Sequence, residues 1–292
     1  MPSVRILTAL SFAAIYFLWG STFLAIRIAV ETVPPLSAAG IRFFLAGVIL
    51  YAGARAHGGA KPSKLEWRNL AIQSALLFLI AYSGLFWAEK TLPSGVASVL
   101  VATIPVWTAM LQIGILRKES FRWSLIVGIV LGLAGVAVLA LDPGASFNLA
   151  ACLAVLGSAV SWSTGTVLSK VLVLPASMSI NSGAQMLLGG CMLLVCSGLL
   201  GEWQPVPHVS LRAGLAILYL IVAGSIVAFT AYVWLLQRMR ATIVTSYAYV
   251  NPVVALLFGH WFGNEALGVR TVLGASLILL SVVIVVRDSG AH

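Results

Sequence analysis

Polar side chains able to bind a ligand lie inside otherwise apolar stretches of this sequence. Thr242, Ser246 and Tyr249 are spaced i, i+4 and i+7, so they would share one face of a helix. Asn251 and Pro252 follow, and a proline within a helix removes one hydrogen bond and frees a carbonyl oxygen. These groups could hold a small molecule by hydrogen bonding. Alternatively, the hydroxyls bond to their own helix and the proline makes a packing kink.

Aromatic residues lie deep in the same apolar stretches, away from the interfaces where membrane proteins usually place tryptophan. Their rings suit a hydrophobic or zwitterionic small molecule through stacking and cation–π contacts, although helix packing is an alternative use. The hydroxyl, amide and aromatic residues together form one set of candidate cavity residues: Trp19, Ser21, Tyr82, Thr103, Trp107, Trp162, Ser163, Ser246, Tyr249 and Asn251.

Arg42 is the one charged residue well inside a predicted membrane span. It lies six residues from the outer end, about 9 Å deep at ~1.5 Å of rise per residue. Its side chain could reach the outer interface along its own stem. It could instead pair with Glu89, at the outer end of the third span, as a structural or gating pair near the outer mouth.

The sequence lacks the groups that catalysis or ion coupling usually needs. No Asp or Glu lies mid-span, where proton-coupled carriers commonly place a carboxylate, and His260 is the only intramembrane candidate for titration near neutral pH. There is no Walker loop, nucleophile elbow, H-E-x-x-H helix or cysteine–histidine metal spacing. We therefore expect no enzyme activity, no cofactor, no metal site and a facilitative mechanism.

The composition places these residues in a membrane. Only 9% of the 292 residues are charged, 61% are hydrophobic and the mean hydropathy is +1.05, whereas soluble domains are roughly 25% charged. A spanning helix needs about 20 mostly apolar residues. Ten segments fit that length: 6–26, 36–54, 69–88, 91–116, 123–141, 143–169, 171–201, 213–237, 241–264 and 271–286.

The net charge of +9 indicates how the chain is oriented in the membrane and does not indicate a nucleic-acid partner. If the N-terminus is inside, most of the 17 basic residues fall in the inner loops, as the positive-inside rule requires. Both termini are therefore predicted to be cytoplasmic.

The chain repeats itself in order along its whole length. Trp19-Gly-Ser-Thr corresponds to Trp162-Ser-Thr-Gly at an offset of 143 residues, and the same offset pairs Gly47 with Gly190. Residues 1–141 and 149–286 are the predicted repeats, followed by a short tail, 287–292. Because each repeat has an odd number of spans, the second must enter the membrane from the other side. Inverted repeats of this kind are typical of transporters that bind substrate near the midplane.

Two smaller expectations concern helix ends and contacts. Glu119 and Glu265 precede the fifth and tenth spans, where a carboxylate would complement the dipole of the helix that follows. Gly128 and Gly132 form a G-x-x-x-G in the fifth span, a pattern that permits close helix contact.

The chain resembles the EamA-domain transporters of the drug/metabolite transporter (DMT) superfamily over essentially its whole length. The resemblance rests on Trp19-Gly-Ser-Thr-Phe, the prolines of spans four and nine, and the tail from Gly263-Asn-Glu265 through Gly274 to Val286. Lys118 departs from the family's usual glycine before Glu119. Within the family, the chain is most similar to YddG-type exporters of aromatic and other amino acids.

The resemblance implies an all-α membrane fold of ten helices in two inverted five-helix repeats, with a central cavity among spans one to four and six to nine. It also implies alternating-access export of neutral amino acids and related metabolites from a bacterial inner membrane. A proton-coupled multidrug efflux carrier, or a carrier of sugar phosphates or nucleotide sugars, is the alternative. The expected partners are small-molecule substrates and the lipid bilayer, with no nucleic acid, and the chain is expected to work as a monomer.

Overall fold

The computed structural model describes residues 4–116, 123–140, 148–204 and 209–289, and every regular element in those ranges is helical. Ten helices cross the molecule in this part of the chain: α1 Val4–Val30, α2 Pro35–Ala56, α3 Lys64–Ala88, α4 Ser94–Val101 with Ile104–Leu111, α5 Trp123–Ala140, α6 Leu149–Leu168, α7 Met178–Leu199, α8 Leu211–Arg238, α9 Ala241–Val244 with Tyr247–Gly263, and α10 Val269–Ser289. Seven of them are long and apolar enough to cross a membrane. The predicted all-α membrane fold is confirmed.

The helices alternate in direction because short segments join them. We call the side where α1 begins and α10 ends the terminal face, and the other side the opposite face. The odd-numbered helices run from the terminal face to the opposite face, and the even-numbered helices return. Each set has five helices, an odd number, so the second set begins at the face opposite to the one where the first set began. The two sets therefore have opposite orientations.

Local sequence explains several helix ends. Ser63 begins α3 with a capping box, since its hydroxyl accepts from the Glu66 amide and the Glu66 carboxylate accepts from the Ser63 amide. The side chains of Asn148 and Ser177 cap α6 and α7 in the same position. Asn264 ends α9 at φ +53°, a left-handed conformation that asparagine tolerates.

Helices α2 and α7 approach each other at two glycines related by the sequence repeat. A methyl group built on Gly47 would lie 2.3 Å from the backbone nitrogen of Leu187, and one built on Gly190 would lie 2.3 Å from that of Phe44. Phe44 and Leu187 are themselves separated by 143 residues, the same offset that relates the glycines. The contact is thus reciprocal, as expected at a pseudo-two-fold axis between inverted repeats.

Wider π-helical turns interrupt α3 at Ala75–Ile80 and α8 at Leu220–Val227, the third helix of each repeat. In both, a backbone carbonyl accepts a hydrogen bond from the first helix of the other repeat. Trp19 Nε1 of α1 donates to the Gly224 carbonyl at 3.0 Å, and Ser161 Oγ of α6 donates to the Leu76 carbonyl at 2.8 Å. Such turns often occur at functional sites because they redirect side chains and carbonyl groups.

Helices α5 and α10 also pack through small residues. A methyl group built on Gly132 would lie 3.3 Å from Ser281 Oγ, and one on Gly135 would lie 2.8 Å from the Gly274 carbonyl oxygen. The close approach therefore includes Gly132 of the predicted pattern and extends to Gly135.

The α2–α7 crossing generates a stability prediction. Gly47→Ala or Gly190→Ala places a methyl group against backbone that cannot rotate away, so the helices must separate. We expect each change to destabilise the protein by about 1–3 kcal/mol, as for other overpacked sites. The measurement is the thermal unfolding midpoint of the purified protein in detergent.

Gly53 provides the matched control on the same helix, since a methyl group there meets nothing within 4 Å. Gly53→Ala should leave the midpoint unchanged or raise it slightly, because alanine favours helix. Equal effects at Gly53 and Gly47 would contradict the close crossing.

Candidate substrate cavities

An aromatic cluster fills the centre of the molecule where the two repeats meet. It consists of Trp19, Tyr82, Trp162, Phe229, Tyr232 and Tyr247. The Trp19 ring lies 4.9 Å from that of Tyr247, 5.1 Å from that of Tyr232 and 5.7 Å from that of Trp162, measured between centroids. These separations are typical of favourable tilted and edge-to-face ring contacts.

A small cavity of about 60 Å³, here called the central cavity, lies against this cluster on the side toward the opposite face. Its lining comes from α1, α3, α4, α6 and α9, and is mostly apolar. The indole N–H of Trp162, which lines it, is buried and makes no well-aligned hydrogen bond among the described residues, although the hydroxyls of Tyr232 and Tyr247 lie near it. The cavity is smaller than the roughly 300–1,000 Å³ typical of ligand sites. A substrate would fit only after the rings move.

A larger cavity of about 520 Å³, here called the vestibule, lies between α3, α7, α8 and the connection from α6 to α7. It reaches the terminal face, where the exposed residues Ala176, Gln237 and Arg238 are part of its lining. At its inner end the lining includes Tyr232, which also belongs to the aromatic cluster. The cluster therefore separates the vestibule from the central cavity.

Four of the predicted residues line the central cavity: Trp19, Tyr82, Trp162 and Asn251. Asn251 also binds α1 across the repeat interface. In the amide orientation that satisfies both ends of the group, its nitrogen donates to the carbonyl oxygens of Tyr16 at 2.7 Å and Ile15 at 3.1 Å. These carbonyls belong to a π-helical turn of α1, Ala14–Leu18.

The other described members of the predicted set are not among the residues that line the two cavities. The Ser21 hydroxyl bonds to Tyr219 at 2.6 Å, and the Ser246 hydroxyl bonds to Tyr16 at 2.8 Å. Each of these hydroxyls links α1 to another helix. Trp107 Nε1 donates to Thr103 Oγ1 at 3.1 Å within α4.

Ser163 Oγ lies 2.8 Å from the Ala159 carbonyl of its own helix and 3.1 Å from the Ile104 carbonyl of α4, so its single proton bonds chiefly within α6. The side chain of Tyr249, also in the predicted set, lies outside the described residues.

Sequence reasoning missed Tyr232 and Tyr247. Tyr247 lines the central cavity and lies one helical turn before Asn251, so i, i+4 spacing from that asparagine was an available signal. The predicted face of α9 assumed one continuous helix from Thr242. The helix is instead interrupted at Thr245 and Ser246.

Arg42 is buried in α2 and contacts α3 and α8. Its Nε donates to Ser225 Oγ at 2.8 Å, and its guanidinium lies over the rings of Phe43 at 4.6 Å and Tyr82 at 5.2 Å. The structure does not join it to Glu89 by an ion pair, since both carboxylate oxygens of Glu89 lack a hydrogen-bond partner among the described residues. The Glu89 carboxyl still lies near enough to attract the Arg42 charge without a direct contact.

Two carboxylates of the second repeat cap helices of the first repeat at the opposite face. Glu265 accepts from the amides of Ser94 at 2.9 Å and Gly95 at 3.2 Å, at the start of α4. We expected it to cap the helix that follows it, α10, and that expectation was wrong. Glu202 accepts in the same way from the amides of Leu36 and Ser37 at the start of α2. The other predicted capping residue, Glu119, lies outside the described residues.

Arg27 completes the contacts at this face. Its Nη1 donates to the Leu92 carbonyl at 2.6 Å, and its Nε lies 3.5 Å from the Glu265 carboxylate. Together, Arg27 and Glu265 tie α1, the start of α4 and the α9–α10 connection to one another. These contacts bridge the helices at the opposite face, on the far side of the central cavity. The vestibule lies at the other end of the molecule, at the terminal face.

Glu89 lies next to this network, one residue beyond the end of α3. It is buried, and burial together with the nearby Glu265 carboxylate raises the pKa of its carboxyl well above the ordinary range, against the attraction of Arg27 and Arg42. The folded chain therefore holds this proton more tightly than the unfolded chain. This difference stabilises the folded protein at pH values below the ordinary carboxyl pKa. The stabilisation is lost as pH rises through the raised pKa of Glu89.

Glu89→Gln should remove that pH-dependent loss. We expect its thermal unfolding midpoint to exceed that of the wild-type protein by more at mildly alkaline pH than at mildly acidic pH. Glu31→Gln is the control, since Glu31 is half exposed and makes only a 3.9 Å contact with Arg212. If Glu89→Gln changed the unfolding midpoint by the same amount at both pH values, that result would contradict burial of a proton at this position.

Comparison with known proteins relates this architecture to membrane transporters. The Escherichia coli K12 protein named uncharacterized inner membrane transporter YedA is 37% identical over 275 residues, covering 93% of this chain and 88% of that protein. Protein PecM of Dickeya dadantii is 28% identical over 92% of this chain and 89% of PecM.

A solved crystal structure has the same fold, with a TM-score of 0.68 at 22% identity over 96% of each chain. The profile of the EamA-like transporter family matches the chain twice, over residues 6–141 and 149–287. The chain therefore belongs to the EamA-like transporter family.

Proposed function

We propose that this membrane transporter exports aromatic and other neutral amino acids and related small metabolites by alternating access. Both termini would lie in the cytoplasm of a bacterium, and the protein would lie in the inner membrane. The observation that carries the proposal is the pair of cavities on either side of the aromatic cluster. One cavity reaches the terminal face, while Arg27 and Glu265 bridge the opposite face. This arrangement suits a state that accepts substrate from the cytoplasm.

The chemistry of the central cavity supports neutral amino acids as substrates. Its aromatic walls would stack on an apolar or aromatic side chain, and the Trp162 indole N–H would donate to a carboxylate. No charged side chain is among its described lining residues. A cavity with few fixed charges rejects few neutral solutes, so we infer broad selectivity.

Export would require the two ends of the molecule to exchange roles. The rings of the aromatic cluster separate, the substrate passes Tyr232, and the contacts of Arg27 and Glu265 break as the opposite face opens. These contacts are polar, lie at the membrane surface and can be replaced by water. A facilitative cycle of this kind needs no carboxylate in the middle of a span, and the described acidic residues lie at or near helix ends.

Glu89 favours a second candidate, a proton-coupled multidrug efflux carrier. A buried carboxyl without a partner can hold a proton while the opposite face is closed and release it when water enters. The aromatic cavity would accept a lipophilic drug as readily as an amino acid.

Flux from proteoliposomes tests the proposed function. Vesicles loaded with a mixture of amino acids and held without an ion gradient should release several neutral members through the wild-type protein. Trp162→Ala removes both the ring and the unpaired N–H, and should reduce flux below saturation by about tenfold. Trp261→Ala is the control, because Trp261 is 63% exposed on the outer surface of α9.

The two candidates give opposite results in this assay. Flux that appears only with an imposed proton gradient, or only for a cationic drug, would reject the facilitative exporter. Loss of that flux in Glu89→Gln would then support the proton-coupled carrier.

A further inference from the structure

The end of α2, the start of α3 and the connection between them carry unpaired positive charge at the terminal face. Residues 51–72 include one acid, Glu66, and four Lys or Arg residues, all exposed: Arg55, Lys61, Lys64 and Arg68. No ion pair joins these cations to an acid in the described part of the chain. The Glu66 carboxylate instead accepts from the Ser63 amide at 2.7 Å. This corner of the molecule is therefore cationic and open to its surroundings.

A ring contact places two of these cations near each other. Tyr51 of α2 and Trp67 of α3 lie 5.7 Å apart between ring centroids. Arg55 lies one helical turn beyond Tyr51, and Lys64 lies one turn before Trp67, on the helix faces that carry the rings. Because α2 ends and α3 begins at the terminal face, both cations lie just beyond the ring contact. Arg55 keeps most of its five N–H donors, since only Nη1 is bonded, to the Gly59 carbonyl.

The third cation of this corner lies beside Lys64. Lys64 and Arg68 are spaced i, i+4 on α3, so their side chains are neighbours on the helix surface. Two like charges at this spacing repel each other and destabilise a helix. Neither side chain has a hydrogen-bond or ion-pair partner among the described residues. An anion bound between the two would remove the repulsion.

Exposed apolar side chains continue from these cations along both helices toward the membrane. On α2, Val48 lies two turns before Arg55 on the same exposed face. On α3, Leu65, Arg68 and Ile72 share a face at i, i+3 and i+7, and the two apolar residues are each 44% exposed. Neither arginine is among the residues that line the vestibule. A phospholipid matches this surface better than a soluble anion does, because its acyl chains can cover the apolar faces below the cations.

We propose that this corner is a binding site for an anionic phospholipid of the leaflet at the terminal face. The phosphate contacts Arg55, Lys64 and Arg68, and the acyl chains lie along the exposed apolar faces of α2 and α3. The rings of Tyr51 and Trp67 lie where the headgroup joins the chains, a level at which membrane proteins commonly place these residues. Basic clusters directly beyond a membrane helix are typical of anionic-lipid recognition. The site does not depend on which solute the protein transports.

Lipid binding is measured by native mass spectrometry of the full-length protein in a neutral detergent. The two probes are phosphatidylglycerol, which is anionic, and phosphatidylcholine, whose net charge is zero, with the same acyl chains. The wild-type protein should bind a phosphatidylglycerol at least about tenfold more tightly than a phosphatidylcholine. Glycerol phosphate, a soluble source of the same phosphate chemistry, should not displace the lipid at an equal concentration.

A double variant assigns this preference to the corner. Arg55→Gln combined with Arg68→Gln should weaken phosphatidylglycerol binding by about tenfold and leave phosphatidylcholine binding unchanged. The matched control is Arg5→Gln combined with Arg240→Gln. It removes two exposed cations from the same face, at the start of α1 and between α8 and α9, and should leave the preference unchanged.

Arg68→Gln alone distinguishes the site from general damage to the fold. Without lipid, this variant should have a slightly higher thermal unfolding midpoint than the wild-type protein, because the repulsion with Lys64 is gone. Phosphatidylglycerol should then raise the midpoint of the wild-type protein by more than that of the variant, since a ligand stabilises the folded state that binds it.

Equal affinity of the wild-type protein for the two lipids would overturn the site. The same loss of preference in the control pair would also overturn it, since the preference would then come from the overall charge of the terminal face. Displacement by glycerol phosphate would indicate a site for soluble anions and reject the lipid. A lower midpoint of Arg68→Gln without lipid would contradict the repulsion between the two cations.

Discussion

Inside a membrane no water is available to satisfy a polar group, and this constraint determines most of the contacts described above. Hydroxyls that the sequence left open as ligand groups, such as those of Ser21 and Ser246, join one helix to another. Several buried polar groups nevertheless have no partner among the described residues, and most of them belong to residues that line neither cavity. Trp162 Nε1 lies at the central cavity, and the oxygens of Gln73 and Gln185 belong to the vestibule wall. An unpaired group therefore bears on ligand binding only where its residue also lines a cavity.

The sequence predicted the large features of this fold because they depend on properties that add up over many residues. Twenty apolar residues in a row predict a span whatever their packing, and the repeat offset accumulates over the whole chain. That offset paired Gly47 with Gly190, and the structure places both at the α2–α7 crossing, each against the backbone of the other helix. Small residues at equivalent places in two inverted repeats are thus a usable signal for the contact between the repeats.

The sequence could not predict which helix a side chain would meet. Glu265 precedes α10 in the chain but caps α4 in space, because the α9–α10 connection passes over the start of that helix. The sequence pattern of α9 also gave no sign of the interruption at Thr245 and Ser246, which divides this helix in two. Arg42 contacts aromatic rings and Ser225, whereas the sequence suggested an ion pair with Glu89. Each of these outcomes depends on tertiary contacts that have no local pattern.

Alternating access needs some contacts that persist and others that exchange, and the structure separates the two kinds. Backbone packed on backbone at Gly47 and Gly190 cannot slide without opening a gap or a clash, so α2 and α7 are suited to move as one body. The contacts of Arg27 and Glu265 lie at a helix start, where water can replace each hydrogen bond as it breaks. The aromatic cluster lies between the two cavities, and its rings meet through tilted and edge-to-face contacts. A cycle that opens the opposite face should therefore rearrange the rings and the polar bridge while the glycine crossing keeps its geometry.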